Sequence, residues 1–123
     1  MTEESNTNIR DNYPLSLFLS MLNSHESKRQ YPKRLQVFFT FLNIKGDIAG
    51  QSFSFAKQYK HQNDDGEELE GRLLAFARYQ KERVAKKEVS HSTVPNYFKA
   101  IKLFCQANRI SKNRMEEHFK GYA

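Results

Sequence analysis

The sequence predicts an all-α fold, organised as a single domain of about four or five helices, and three observations favour it. Apolar residues recur every three or four positions, and no segment sustains the alternation that is typical of a strand. Only three prolines and five glycines interrupt the 123 residues. The chain contains ten Phe and six Tyr, and its hydrophobic content is 38%, which is the composition of a globular protein with one modest core.

The first half of the chain predicts two helices after a polar lead-in. Residues 1–12 are expected to be disordered. Pro14 suits the first turn of a helix, because its missing N–H has no intrahelical partner there. The apolar face of this first helix comprises Leu15, Phe18, Leu19 and Leu22. Ser27 and Gln30 form a capping-box pattern that predicts the start of a second helix, with Pro32 either starting or bending it.

The second half predicts three further helices and a short last one. Asp47 is expected to cap a third helix. The stretch "HQNDDGEE" (61–68) is expected to be a loop with an acidic entry to a fourth helix at roughly 67–88. Ser92 or Thr93 then caps a fifth helix, with Pro95 in its first turn. A short helix near 111–119 is expected to follow.

The charge distribution points to an anionic partner. The net charge is +6 and the pI is about 9.5. Residues 27–60 hold seven Lys or Arg against one acid, and residues 71–114 hold eleven against two. A basic balance of this kind favours a polyanion partner, either nucleic acid or an anionic membrane surface. The longest apolar stretch, "PLSLFLSML", is too short to span a bilayer, so no membrane partner is expected.

The single cysteine and the N-terminus bear on the compartment. Cys105 is the only cysteine, which excludes an internal disulfide and suits a reducing environment. It is expected to be a small core residue rather than a reactive thiol. The start of the chain is polar and partly acidic, unlike a signal peptide, so we expect a cytoplasmic location.

Two segments of the chain share one pattern. When the segment that begins at Ser27 is aligned with the one that begins at Thr93, both start with a hydroxyl residue. Tyr, Lys, an aliphatic residue and Phe then follow four, six, eight and eleven residues after it. The matched pairs are Tyr31 with Tyr97, Lys33 with Lys99, Leu35 with Ile101, and Phe38 with Phe104. On a helix the Tyr, aliphatic and Phe positions share one face, which predicts a core face, and the Lys lies on the opposite side.

The opposite side of each segment is polar. Its members are Arg29, Lys33, Gln36 and Thr40 in the first segment, and Pro95, Lys99, Lys102 and Gln106 in the second, where Leu103 interrupts the stripe. Phosphates are bound by helix N-termini and by Lys or Arg, and amides can read base edges. A solvated charged face has the same pattern, so residue spacing alone leaves a nucleic-acid clamp and a generic bundle both open.

A family resemblance covers most of residues 15–109. The strings "YPKRL", "QKERV" and "NYFKAIKLFC" resemble the N-terminal core-binding domain of tyrosine recombinases, the phage-type integrases, and most closely those of archaea. The resemblance weakens at 44–66. It implies a SAM-like bundle that forms half of a C-shaped clamp around duplex DNA at a recombination site, and thus a role in DNA integration.

The resemblance also implies which residues contact DNA. In the family two helices of this domain approach the major groove, and they match the helices predicted to begin at Ser27 and Thr93. The implied contacts are Lys28, Arg29, Lys33, Arg34, Thr93, Asn96, Lys99 and Lys102. A catalytic domain usually follows, whereas residues 111–123 stand in its place here. We therefore expect a truncated or split integrase, with a separately encoded catalytic domain as a possible partner.

Catalytic residues are not expected in this chain. Recombinase chemistry needs a tyrosine nucleophile with Arg, Lys and His groups around the phosphate. None of the four histidines has Arg three positions later, and Tyr122, one residue from the end, has no Arg/His constellation around it. Tyr31 and Tyr97 fall on predicted core faces. No metal site, cofactor or small-molecule ligand is predicted. A protein-interaction module and an RNA-binding domain remain as alternatives to DNA binding.

Overall fold

The computed structural model describes residues 13–60 and 66–110, and within these ranges it contains helices and no strand. The helices are α1 (13–20), α2 (His25–Phe41), α3 (Ile48–Tyr59), α4 (Glu67–Ala85) and α5 (Val94–Ala107). The prediction of an all-α single domain is confirmed. The predicted lead-in (1–12), part of the predicted loop (61–65) and the predicted last helix or tail (111–123) lie outside the described residues.

The start of α2 differs from the prediction. Its N-cap is Ser24, whose hydroxyl oxygen accepts a hydrogen bond from the Ser27 backbone N–H at 2.9 Å. The capping box predicted at Ser27 and Gln30 is therefore wrong. Ser24 supplies the same oxygen three residues earlier, and this places Ser27 inside the first turn. Pro32 lies within α2, which continues past it as far as Phe41.

The cap of α3 agrees with the prediction. The Asp47 carboxylate accepts a hydrogen bond from the Gly50 backbone N–H at 2.8 Å. Gly46 precedes this cap with a φ of 109°, a left-handed value that side chains with a Cβ rarely adopt. Local polar chemistry between positions three residues apart fixes this helix start, which is why the sequence reveals it.

The end of α4 comes earlier than predicted, at Ala85 rather than near residue 88. The backbone N–H of Lys87 donates to the carbonyl of Val84 at 3.0 Å, and that of Glu88 donates to the carbonyl of Arg83 at 2.8 Å. Lys87 adopts a φ of 63°, the left-handed conformation that closes helix C-termini. This turn holds Glu88 beside the last turn of α4.

The core is built from phenylalanine rings contributed by all five helices. Phe38 of α2 packs against Phe76 and Phe55, with ring centroids 5.1 and 5.8 Å apart. Phe39 reaches across to Phe104 of α5 at 5.5 Å. The large side chains that are fully buried are Phe18, Phe38, Phe39, Phe55, Phe76, Phe98, Phe104, Leu35, Leu69, Leu73, Ile101 and Ile110. The predicted core face of α5 is confirmed, and that of α2 is confirmed for Leu35 and Phe38, whereas Tyr31 is only half-buried against the core.

Two further buried residues of the core lie at the C-terminal end of α5, Cys105 and Asn108. Cys105 is buried, and burial raises the pKa of its thiol because the thiolate would lose its hydration. The predicted assignment of Cys105 to the core is confirmed. Asn108, the C-cap of α5, donates its side-chain amide to the carbonyl of Pro14 at 3.1 Å and to that of Phe104 at 3.2 Å. This buried residue ties the end of α5 to the start of α1.

Candidate nucleic-acid interface

The predicted contact residues of α2 fall into two environments. Lys28, Arg29 and Lys33 are exposed, as the interpretation of a polar outer face requires. Arg34 is half-buried, and its guanidinium carbon lies 5.3 Å from the centre of the Tyr31 ring. Such a cation–π contact orients the guanidinium without neutralising its charge. Arg34 is therefore held against the helix while the lysines remain in solvent.

Arg29 already has an anionic partner. Its guanidinium donates to the Glu26 carboxylate at 2.9 Å, and the Gln30 side-chain amide donates to the same oxygen at 2.9 Å. The hydrogen bond from Gln30, with that from Arg29 next, lowers the pKa of Glu26. Neither Lys28 nor Lys33 makes an ion pair within the part of the chain that the structure describes. Of these three cations, Arg29 is the least free to bind a phosphate.

The predicted contact residues of α5 lie at its start and along its outer side. Lys99 is exposed, whereas Asn96 and Lys102 are half-buried. Thr93 occupies the N-cap position, as predicted, but its side chain does not cap the helix. Its hydroxyl lies instead 2.8 Å from the hydroxyl of Ser90. The start of α5 therefore presents hydroxyl groups, and it keeps its first backbone N–H groups free of a side-chain cap.

A groove lies between α2 and the second half of α4, with a volume of about 620 Å³. We name it the α2–α4 groove. Its lining residues are Lys33, Gln36, Val37, Thr40, Phe41, Tyr79, Arg83 and Glu88. Three of the four residues of the polar stripe predicted on α2 belong to it. No residue of α5 lines it, so the structure brings Lys33 together with Arg83 of α4 rather than with Lys99.

Gln36 is fixed by a chain of amide hydrogen bonds. Its side-chain nitrogen donates to the side-chain oxygen of Gln51 at 3.0 Å, and the Gln51 nitrogen donates to the carbonyl of Ile44 at 2.8 Å. Gln51 is almost fully buried, so this chain satisfies polar groups in the contact of α2 with α3. The prediction that the amides of α2 face a partner needs correction for Gln36, whose donor is engaged within the bundle.

The α2–α4 groove has an aromatic floor. The rings of Phe41 and Tyr79 are stacked, with centroids 5.0 Å apart and an interplanar angle of 27°. Phe41 packs in turn on the buried Phe76 at 5.2 Å. Tyr79 keeps 41% of its surface exposed. These contacts anchor the floor of the groove to the core, so the polar groups that line it stand on a fixed surface.

Arg83 is held from three sides. Its Nη1 donates to the side-chain oxygen of Gln80 at 3.0 Å, and its Nε lies 3.6 Å from a carboxylate oxygen of Glu88. The guanidinium carbon lies 5.7 Å from the centre of the Tyr79 ring. Gln80 is fully buried, and its side-chain nitrogen has no hydrogen-bond partner among the residues that the structure describes. The oxygen of Gln80 thus faces Arg83, and this orients the guanidinium.

Further cations surround the end of α4, and the list of predicted contact residues omits them. Arg83 lines the groove, and Arg78, Lys81, Lys86 and Lys87 are exposed and make no ion pair within the described part of the chain. The excess of bases in residues 71–114 and the string "QKERV" were signals that could have identified them. The predicted contacts lie instead on α2 and α5, the two helices that share one residue pattern.

Comparison with known proteins adds no assignment. No protein-family model matches the chain, and no curated protein or solved structure is significantly similar to it. Among the described residues, His, Cys, Asp and Glu form no cluster that could hold a metal ion. None of the described helices combines the length and the apolar character needed to cross a membrane. The predicted positions and the groove are therefore what the functional proposal rests on.

Proposed function

We propose that this protein binds duplex DNA as the core-binding domain of a tyrosine recombinase, and that it does so without catalysing strand exchange. The observation that carries this proposal is the α2–α4 groove, where Lys33 and Arg83 come together from two helices. Exposed cations that make no ion pair within residues 13–60 and 66–110 extend this surface along the end of α4. A surface of this kind suits a polyanion, because each phosphate neutralised by Lys or Arg releases bound counterions.

The finer part of the proposal rests on the family resemblance. The string "YPKRL" lies on α2, "QKERV" lies on α4 and "NYFKAIKLFC" lies on α5. The helix that carries "QKERV" is the one that forms the second wall of the groove. In this proposal α2, α4 and α5 contribute one half of a clamp on the recombination site.

The proposal is tested by reversing one charge inside the groove and one outside it. Lys33 and Lys57 are both exposed lysines in helices, but Lys57 lies on α3 and does not line the groove. The parent should bind a short duplex with a dissociation constant of roughly micromolar to tens of micromolar near physiological salt. Lys33→Glu should weaken binding about equally for all sequences and reduce the slope of log affinity against log salt by about one. Lys57→Glu should change that slope little.

Fluorescence anisotropy over a salt series measures both quantities, and single-stranded RNA serves as a competitor. Parent affinity that does not depend on ionic strength would contradict phosphate contacts. If Lys33→Glu and Lys57→Glu changed the affinity and its salt dependence equally, the groove would not be part of the DNA-binding surface. If the protein bound the single-stranded RNA more tightly than the duplex, its partner would be RNA rather than duplex DNA.

The absence of catalysis is tested with a suicide substrate that traps covalent complexes of protein and DNA. The chain alone should form no adduct, because no His with Arg three positions later accompanies a tyrosine in its sequence. Tyr122, the tyrosine nearest the end, lies outside the described residues. Formation of an adduct that Tyr122→Phe abolishes would show that the chain is a nucleophilic enzyme.

A further inference from the structure

One residue of the α2–α4 groove has the charge opposite to its neighbours. Glu88 lines the groove, and its carboxylate lies 3.6 Å from Nε of Arg83. The turn that ends α4 fixes this arrangement, since the backbone N–H of Glu88 donates to the carbonyl of Arg83 at 2.8 Å. The Glu88 side chain is 54% exposed and that of Arg83 is 22% exposed. The carboxylate is thus the more accessible member of the pair.

We infer that the Glu88 carboxylate competes with a DNA phosphate for Arg83, and that it thereby lowers the affinity of the groove for DNA. This inference rests on the proposed function and deepens it. A carboxylate beside a guanidinium occupies the position that a phosphate oxygen takes, because both present oxygens that match its N–H groups. Glu88 therefore acts on binding through Arg83.

The donors of Arg83 explain why the two anions compete. A guanidinium binds phosphate most strongly through two parallel N–H groups, and one pair of these is formed by Nε and Nη2. Glu88 lies against Nε, and Gln80 accepts a hydrogen bond from Nη1. A phosphate that binds through Nε and Nη2 has to displace Glu88. At 3.6 Å the contact is longer than a hydrogen bond, and the Glu88 carboxylate is largely exposed to solvent, which weakens the pair, so a phosphate can displace Glu88.

The matched control for this inference is Glu82, which lies on α4, the helix that carries Arg83. Glu82 is exposed, makes no ion pair within the described residues and does not line the groove. Glu88→Gln and Glu82→Gln change the net charge by the same amount and preserve side-chain size. If Glu88 competes directly, Glu88→Gln should raise duplex affinity about two- to fivefold. Glu82→Gln should give less than half of that gain, because it removes only a distant repulsion.

The dependence on Arg83 is tested in the background of Arg83→Gln. There Glu88→Gln and Glu82→Gln should give equal gains, because the competed group is absent. If Arg83→Gln does not fold by circular dichroism, Arg83→Met replaces it, since methionine keeps a long unbranched side chain but has neither the charge nor the N–H donors of arginine. Affinities are measured by anisotropy with one duplex at one salt concentration.

The outcomes separate this inference from the proposed function. Equal gains from Glu88→Gln and Glu82→Gln in the parent background, with the parent binding duplex in a salt-dependent way, would overturn the inference alone. Absence of duplex binding by the parent and by Glu88→Gln would overturn both. A larger gain at Glu88 that persists without Arg83 would also overturn it, because the carboxylate would then act on DNA itself.

Discussion

Helices α2 and α5 carry the same residue pattern, yet their outer faces lie in different surroundings. Both bury a phenylalanine completely, Phe38 in α2 and Phe104 in α5. The lysine opposite each of these core faces is exposed in both. Lys33 nevertheless lines a groove with Arg83 of α4, whereas Lys99 does not. A shared pattern therefore identifies which side of a helix is buried, but it does not identify the neighbour beside the other side.

The largest effects on stability should come from substitutions in the buried faces, which are alike in the two helices. Phe38→Ala and Phe104→Ala each remove a ring that is completely buried, and each should lower the free energy of unfolding by about 3–5 kcal/mol. Urea unfolding followed by circular dichroism measures this change. Leu74→Ala, at an exposed position of α4, is the control and should stay within about 0.5 kcal/mol. If only one of the two substitutions lowered the free energy of unfolding strongly, the core faces of α2 and α5 would not contribute equally to stability.

The next effect separates the outer faces. Lys33→Glu should weaken duplex binding about tenfold or more, while Lys99→Glu should weaken it less, because only Lys33 has a second groove cation beside it. Anisotropy at one salt concentration compares them, and melting by circular dichroism checks that both variants fold. Equal losses would mean that α5 contributes as much as α2 to the binding surface. The double substitution should then be close to the sum of the two.

The smallest effect concerns the helix starts. Ser24→Ala removes the hydroxyl oxygen that caps α2, so it should cost about 1 kcal/mol of unfolding free energy. Thr93→Ala removes a side chain that makes no cap hydrogen bond, so it should cost about 0.5 kcal/mol or less. Urea midpoints of the two variants measure the difference. Equal costs would indicate that the Thr93 hydroxyl stabilises the start of α5 through Ser90.

The parts of the fold that sequence predicted are those governed by local chemistry and by periodicity. Asp47 was recognisable as a cap because its partner, Gly50, is three residues away. The cap of α2 was misplaced because Ser24 and Ser27 are both plausible caps, and the choice depends on where the preceding chain turns. The core faces were recognisable because burial repeats with the helical period.

The candidate site was predictable only in part, since it depends on contacts between distant segments. The pattern placed Lys33 on an outer face, but the packing of Phe41 on Phe76 and Tyr79 is what brings α4 beside it. The engagement of Gln36 by Gln51 is likewise a contact between two helices. Neither contact leaves a periodic signature in one segment, so the local signs of the second wall are the excess of bases in residues 71–114 and the string "QKERV".

The hydrogen bond from Asn108 to Pro14 has a consequence for how the bundle assembles. It joins residues 94 positions apart, so it closes nearly the whole described chain into a loop. Closing a flexible loop of that length costs about 4 kcal/mol in chain entropy, apart from a constant term, if no other contact has formed. The entropic cost of forming this hydrogen bond is therefore small only after the intervening helices have packed. We expect the bond to form in the late steps of folding. A circular permutant that joins these two ends would make the contact local and remove most of that entropic cost.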